Sequence, residues 1–442
     1  MLNQAQESAV TVGIYTLGCK VNQYESEAIA EALEQNGFTV LPFSKPCSIY
    51  IINTCTVTAE SDRKARQFIR RAISRNPEAG IIVTGCYAQA SPEAASAIEG
   101  VDVIVGNREK MQVVRTAMEL VRTKEKRSTP EILVPSLVDA DFEPMAITRF
   151  DRTRAYVKIE DGCESHCTYC IIPSARGAIR SKAFSDVLEE VKVLTENGCP
   201  EIVLTGIETA SYGKDLGDTS LADLLVAVDR IPDIGRIRLG SLDPSLIKPA
   251  FVEKIASLQS LAPHFHLSMQ SGSSAVLHRM KRKYNREQAL SAMQLLRDAI
   301  PSVQFTTDII VGFPGESEED FMETVSLIES GRFLMTHIFP YSKRKGTLAA
   351  DMPDQVPEDE KHRRLLYLSE IAERAERAIL EDAIAKGEAI PVLFETFKDG
   401  VAHGHTANFL EVSVEASCPL DGKTFPVLLL RTDGHICYGK IV

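Results

Sequence analysis

Four times in its first 120 residues the chain alternates a short Val/Ile-rich run with an amphipathic stretch, and this limits the fold more than any other feature. "VTVGIYTLGC" reads as a strand ending at Cys19, followed by the helical stretch "QYESEAIAEALEQNG" with Gly37 as its C-cap. "SIYIINTC", ending at Cys55, precedes the helix "AESDRKARQFIRRAISRN". "GIIVTGC", ending at Cys86, precedes "SPEAASAIEG", and "VDVIVGN" precedes "REKMQVVRTAMEL". Near-continuous apolar strands alternating with helices predict a parallel sheet covered on both faces. Sites in such open sheets form beyond the carboxyl ends of the strands, where Cys19, Cys55 and Cys86 all fall, so the three are expected to converge.

Residues 123–150 lose the periodicity and read as a linker. The pattern then restarts with "RAYVKIEDGC" and the helix "AFSDVLEEVKVLTENG". Strands are expected at "EIVLTGIET", "RIRLGSLDP", "HFHLSMQSG", "QFTTDIIVGFPGE" and "FLMTHIFPYS". Six such units predict a partial barrel related to the eightfold one, with its site at the carboxyl ends of its strands. The long helix "PEDEKHRRLLYLSEIAERAERAILEDAIAKG" closes this region. "IPVLFETF", "FLEVSVEA", "FPVLLLR" and "HICYGKIV" then read as short strands separated by "KDG", "LDG" and "TDG" turns, which fits a small antiparallel barrel of OB-like type. The expected fold class is α/β. A flavodoxin-like parallel sheet at residues 1–142 leads into a partial (β/α)6 TIM-type barrel at 148–377 and a small antiparallel β-barrel at 378–442.

The composition, 44% hydrophobic and 25% charged, suits folded domains. No apolar run long enough to span a membrane and no basic-then-apolar leader is present, so a cytoplasmic protein with no membrane association is expected. Ten cysteines in a reducing compartment point to metal or redox chemistry rather than disulfides. "DGCESHCTYC" spaces Cys163, Cys167 and Cys170 by four and three residues with no fourth cysteine nearby. Thiolates are the usual ligands of iron–sulfur clusters, and three ligands on a four-iron cluster leave one iron open to an outside molecule. Zinc would ask for a fourth ligand or a catalytic water, and His166 gives no standard zinc spacing. Cys19, Cys55 and Cys86 are read as a second open set, while Cys47, Cys199, Cys418 and Cys437 read as core or incidental thiols.

"CESHCTYC" matches the CxxxCxxC signature of radical S-adenosylmethionine (SAM) enzymes, and "TLGCKVNQYESE", "INTCTVT", "TGCYAQ" and "CTYCIIPSARGAIRS" resemble the methylthiotransferase family. "GSLDP", "HLSMQSGSSAVLHRMKR", "DIIVGFPGE" and "HIFPYSKRKGT" carry the resemblance along the chain, and the C-terminal barrel resembles the family's TRAM domain. Lys20-Val21-Asn22 is similar to the branch that acts on threonylcarbamoyladenosine in tRNA. The resemblance implies two [4Fe-4S] clusters and SAM as radical source and methyl donor. Cys163, Cys167 and Cys170 would hold the cluster that chelates SAM and cleaves it reductively to a deoxyadenosyl radical. Cys19, Cys55 and Cys86 would hold an auxiliary cluster presenting sulfur. The implied reaction inserts a methylthio group at C2 of N6-threonylcarbamoyladenosine 37, next to the anticodon. The implied partners are that tRNA and an electron donor such as a flavodoxin or ferredoxin system. Readings of the same chemistry on isopentenyladenosine or a ribosomal-protein aspartate remain, as does a non-catalytic electron carrier or RNA-binding scaffold.

The resemblance further implies SAM contacts from Tyr169, Thr205, Gly206, Glu208, Ser241, Ser268, Gln270, Gly312, Phe313 and Pro314, although Glu208 stands where the family more often has Asn. For RNA, Arg63, Arg66, Arg70 and Arg71 project from a helix whose apolar stripe is Ala65, Phe68, Ile69, Ala72 and Ile73. Arg279, Lys281, Lys343 and Lys345 add charge near barrel-strand ends, despite a net charge of -12. The threonyl carboxylate needs a cation, expected from Arg176, Lys343 or Lys345.

Overall fold

The computed structural model describes residues 10–123, 126–150 and 153–442; Lys124 and Glu125, inside the expected linker, lie outside the described residues. The chain packs as two units. The first comprises residues to Ile147 with Asp161–Glu164 and Cys170–Lys182, and the second comprises the remainder. No helix among the described residues is long and apolar enough to cross a membrane.

The first unit is built on strands β1 (Thr11–Thr16), β2 (Thr39–Leu41), β3 (Ile49–Thr54), β4 (Gly80–Gly85), β5 (Val103–Val105) and β6 (Glu131–Leu133). All pairings are parallel and the order is β2-β1-β3-β4-β5-β6, so the strand order reverses between β1 and β3, as in flavodoxin-like sheets. Alternation sends Tyr50, Ile52, Ile81 and Val83 into one core, and Ile49, Ile51 and Ile82 into the other. With both faces buried, the strands read as continuous Val/Ile runs. Helix α1 is Lys20–Gln35 and helix α2 is Ala59–Arg75; Ala65, Ile69 and Ala72 of α2 are buried, as the stripe required. "SPEAASAIEG" forms only the short helix Pro92–Ser96. The expected linker supplies β6, whose Glu131 pairs with Val103. Three residues on a sheet edge, none of them buried, leave no periodic signal, which is why this strand was not legible.

In the second unit, Arg154–Lys158, Glu201–Thr205 and Arg236–Leu239 form one parallel sheet, and His264–Gln270, Gln304–Val311 and Phe333–Pro340 another. Bridges Ile237↔Leu261 and Leu242↔Leu267 join the two, so the six strands follow one another in chain order as a partial barrel. Helix Glu358–Ala385 runs continuously into the C-terminal region and lends Ile379 and Leu380 to its core. That region is a closed barrel of five strands, one more than the four expected. The additional strand, Val401–Thr406, is "VAHGHT", whose Gly and His residues carry little strand propensity. The barrel is fastened to the larger one through Glu201, which is fully buried and pairs with Arg154 at 2.8 Å, Arg238 at 2.9 Å and Arg236 at 3.1 Å. The same arginines reach the small barrel: Arg154 pairs with Glu395, and Arg238 donates to the Ala407 carbonyl at 3.2 Å.

Candidate active site

Cys55 and Cys86 follow β3 and β4 directly and Cys19 stands three residues past the end of β1, so Cys19 and Cys55 flank the point where strand order reverses. Cys19 is the N-cap of α1, and Cys86 opens the helix Cys86–Ala90. Each of these two is preceded by a glycine at positive φ. A Cβ on Gly18 (φ 103°) would stand 2.7 Å from Cys55 Cβ, and one on Gly85 (φ 95°) 2.4 Å from the Thr54 carbonyl oxygen. The Gly–Cys pairs thus let three strand ends approach closely. All ten cysteines are free thiols, with Cys55 and Cys86 buried and Cys19 exposed as a residue. Protein packed around the Cys19 sulfur nonetheless pushes its thiol up to about 11, Arg176 pulling against the rise and Cys86 and Cys55 adding to it. Burial, then the neighbouring Cys86, raises Cys55 as well.

Beneath the sulfurs lies a buried polar network. Asn22 donates to the Leu17 and Thr54 carbonyls at 2.7 and 3.0 Å, and its own oxygen accepts from Arg176 at 2.5 Å. Arg176, fully buried, places Nε 3.3 Å from Cys86 Sγ and pairs with Glu25 at 2.5 Å and Asp161 at 3.2 Å. Lys110, also buried, pairs with Glu25 at 3.0 Å and donates to Asn107 at 2.7 Å, while Asn107 Nδ2 lies 3.8 Å from Cys86 Sγ. Among the described residues, Arg176 and Lys110 pair with Glu25, and Arg176 and Arg180 pair with Asp161. Arg176 works against the rise that burial imposes on the Cys19 thiol. Arg176 is therefore corrected from a substrate-binding cation to an internal one. Its guanidinium has no solvent exposure and two carboxylates already hold it.

The loop with the other three cysteines starts at Asp161. Cys163 and Cys170 belong to the first unit and Cys167 to the second. In the first unit the Cys163 amide donates to the Gly177 carbonyl at 3.0 Å. In the second, the Thr168 amide donates to the Met280 carbonyl at 3.1 Å and its hydroxyl to the Arg279 carbonyl at 3.0 Å. These bonds set buried Cys167 beside Arg282, whose Nη1 lies 3.3 Å from the sulfur. Asp243 holds the guanidinium at 2.7 Å, and the Tyr284 ring lies 5.1 Å from it. His166, inside the loop, takes the left-handed conformation (φ 46°), uncommon for a residue with a side chain.

The expected SAM contacts follow consecutive barrel strands. Thr205 is buried at the end of its strand, and a Cβ at Gly206 would stand 2.6 Å from a Glu160 carboxylate oxygen. Glu208 accepts from Ser165 at 2.9 Å and lies 3.6 Å from Lys283. Ser241 is exposed, Ser268 half-buried, and Gln270 sits at φ 63° at its strand end. The Ser268 carbonyl accepts from Arg282 and Tyr284. Gly312, Phe313 and Pro314 are buried, and Phe313 meets Tyr169 edge-on at 6.5 Å. Of the RNA candidates, Arg70, Arg71, Lys281, Lys343 and Lys345 are exposed and Arg66 half-buried. Arg63 pairs with Glu60 and Arg279 with Asp320. Arg279, Lys281 and His278 border a groove shared with Thr168 and Met352. Glu25, Asn53, whose side-chain oxygen accepts from Lys110 at 3.4 Å, Asn107, Lys110, Asp161, Asp243 and Arg282 were missed as site residues. For part of this group the signal was polar residues beside apolar runs: Asn53 in "INTC", Asn107 and Lys110 in "GNREK", and Glu25 in "YESE" within α1.

Two family models match, one described as the uncharacterized protein family UPF0004 over residues 11–106 and one as the radical SAM superfamily over residues 157–328. The chain is similar in fold to the radical S-adenosylmethionine methyltransferase TsrM of Kitasatospora setae. That likeness has a TM-score of 0.56 and 16% identity, over 78% of this chain and 77% of that one. The fold and the matched superfamily model define the class, a radical SAM enzyme. The chain is 41% identical to the threonylcarbamoyladenosine tRNA methylthiotransferase MtaB of Bacillus subtilis, over 98% of this chain and 96% of that one. It is 35% identical to the tRNA-2-methylthio-N(6)-dimethylallyladenosine synthase of Acetivibrio thermocellus, over 97% and 90%. The chain belongs to the radical SAM methylthiotransferase family. Membership in a family of transferases sets aside the electron-carrier and scaffold readings.

Proposed function

We propose that the protein inserts a methylthio group at C2 of N6-threonylcarbamoyladenosine 37 in tRNA, in the cytoplasm. The observation that carries the chemistry is the pair of cysteine sets, each with a guanidinium 3.3 Å from one sulfur. Six free thiols, three from the strand ends of the first unit and three from the CxxxCxxC loop, are a donor set whose chemistry suits two [4Fe-4S] clusters with an open iron apiece. Bound there, the clusters and SAM supply one-electron chemistry and sulfur.

The chain's own contribution is position and charge. Arg282 and Arg176 sit where they offset negative charge on Cys167 and Cys86, and the strand ends of the partial barrel offer Thr205, Ser268 and Gln270 to a SAM molecule. The substrate branch rests on the higher identity to the relative named for threonylcarbamoyladenosine. With Arg176 committed internally, exposed Lys343 and Lys345 are the cations for the threonyl carboxylate. Arg279 and Lys281, on the groove beside Thr168, and the exposed arginines of α2 suit RNA phosphates, with the small C-terminal barrel as a TRAM-like RNA-binding module. A flavodoxin or ferredoxin system would deliver the electrons.

The test incubates the cluster-loaded protein with SAM, a reductant and tRNA carrying threonylcarbamoyladenosine, then weighs the digested nucleosides. The expected result is one methylthio group gained on that nucleoside and none with Cys163→Ala. Gain on isopentenyladenosine instead would move the protein to the other branch.

A further inference from the structure

His266, Asp308 and His337 stand on three consecutive parallel strands of the partial barrel, His264–Gln270, Gln304–Val311 and Phe333–Pro340. The register pairs Asp308 with His337 directly and His266 with Thr306, two residues before Asp308. Since side chains alternate along a strand, all four residues share one sheet face, opposite the fully buried Leu267 and Ile309. One donor atom from each of His266, Asp308 and His337 lies within 4.8 Å of the others. His266 Nε2 is 3.2 Å from an Asp308 oxygen, and the two imidazole centroids are 6.0 Å apart.

The second nitrogen of His266 is also held. Nδ1 lies 2.9 Å from the Thr306 hydroxyl, which lies 3.1 Å from His264 Nε2. When that hydroxyl donates to His264 and accepts from His266 Nδ1–H, His266 Nε2 turns a lone pair toward the Asp308 carboxylate. In that tautomer two lone-pair donors stand 3.2 Å apart and attract a cation, a metal ion or a proton, between them. Orientation of a ligating imidazole through its other nitrogen is the usual arrangement at protein metal sites. Two imidazoles and one carboxylate suit first-row transition ions, whereas magnesium and calcium take oxygen alone. Strands fix the three groups, and partial exposure of Asp308 and His337 gives an ion a way in.

We propose that His266, Asp308 and His337 bind one divalent transition-metal ion, with Thr306 as the positioning residue for His266. The site uses nitrogen and oxygen donors and none of the six cysteines, so it stands whether or not the substrate reading above does.

The experiment uses the full chain with its cysteine sets loaded with iron and sulfide, so that those thiols are occupied. Zinc is added alone by equilibrium dialysis, and zinc and iron per chain are measured together. The expected result is one zinc per chain, with affinity lowered at least about 30-fold in His337→Ala and in Asp308→Asn, and about 10-fold in Thr306→Val. Iron content and melting temperature should stay at wild-type values in His337→Ala, because His337 is exposed. The proposal is overturned if the wild-type chain takes up no more zinc than His337→Ala. It is equally overturned if all variants bind as tightly as wild type, which would leave His266 and Asp308 as a hydrogen-bonded pair.

Discussion

Arg176 Nε lies 3.3 Å from the sulfur of Cys86, inside a fully buried group that also holds Glu25 and Asp161. The guanidinium answers two demands at once, because it neutralises buried carboxylates and places positive charge beside the Cys86 thiol.

Arg176→Met should therefore act on stability and on loading together. Removing one partner of a buried ionic group costs about 3–5 kcal/mol, because the remaining charges stay buried without compensation. On a unit of this size that lowers the melting temperature by roughly 10 °C. The variant should also retain about half the wild-type iron after reconstitution, through loss at the Cys19, Cys55 and Cys86 set. An unchanged melting curve and iron content would show that the group is not needed for either.

Arg282 is held by Asp243 at 2.7 Å and stands 3.3 Å from Cys167. A positive charge this close favours the reduced, more negative state of anything the thiolate binds. Arg282→Gln should shift the midpoint of the SAM-binding cluster to more negative potential by roughly 50–100 mV, read by redox titration with electron paramagnetic resonance. The signal of the other cysteine set serves as the control and should not move.

Glu201 is buried among Arg154, Arg236 and Arg238. Burial alone would raise its carboxyl, but Arg238, with Arg154 and Arg236, outweighs that and lowers it to about 2 from an ordinary 4.5. A depressed carboxyl stabilises the fold fully above its unfolded value, and the gain is lost as pH falls toward the folded one. Glu201→Gln should cost about 3–5 kcal/mol at neutral pH, and the gap to wild type should close between pH 4.5 and 2. Melting curves of the cluster-free protein across that range check both the size and the sign.

Lys343→Ala and Lys345→Ala bear on the substrate. A charge-assisted contact to a carboxylate is worth about 1.5–3 kcal/mol. Whichever lysine makes it should, on truncation, lower kcat/KM for tRNA with threonylcarbamoyladenosine about 10- to 100-fold, with little change for a substrate lacking the carboxylate. Equal turnover in both variants removes these lysines from substrate recognition.

The architecture was legible where local rules act alone. The four strand–helix repeats of the first unit, the six barrel strands and the long closing helix all carry hydrophobic periods that only one fold class accommodates. Glu131–Leu133 and Val401–Thr406 were not, because an edge strand of three residues and a strand of Gly and His are stabilised by their neighbours rather than by their own composition.

The cysteines show the same division. Spacing and placement after strands single out six of the ten cysteines in the sequence, since a ligand set would need particular atoms at particular strand ends. Arg176 could not be read that way. Six residues beyond Cys170, it looked like any basic residue near a substrate, and only packing places it against Glu25, 151 positions earlier in the chain. Sequence determined the periodic elements and their order and singled out six thiols, because periodicity and spacing are local properties. Tertiary structure decided which charges are buried and what they face, because burial and pairing belong to residues distant in the chain and close in space.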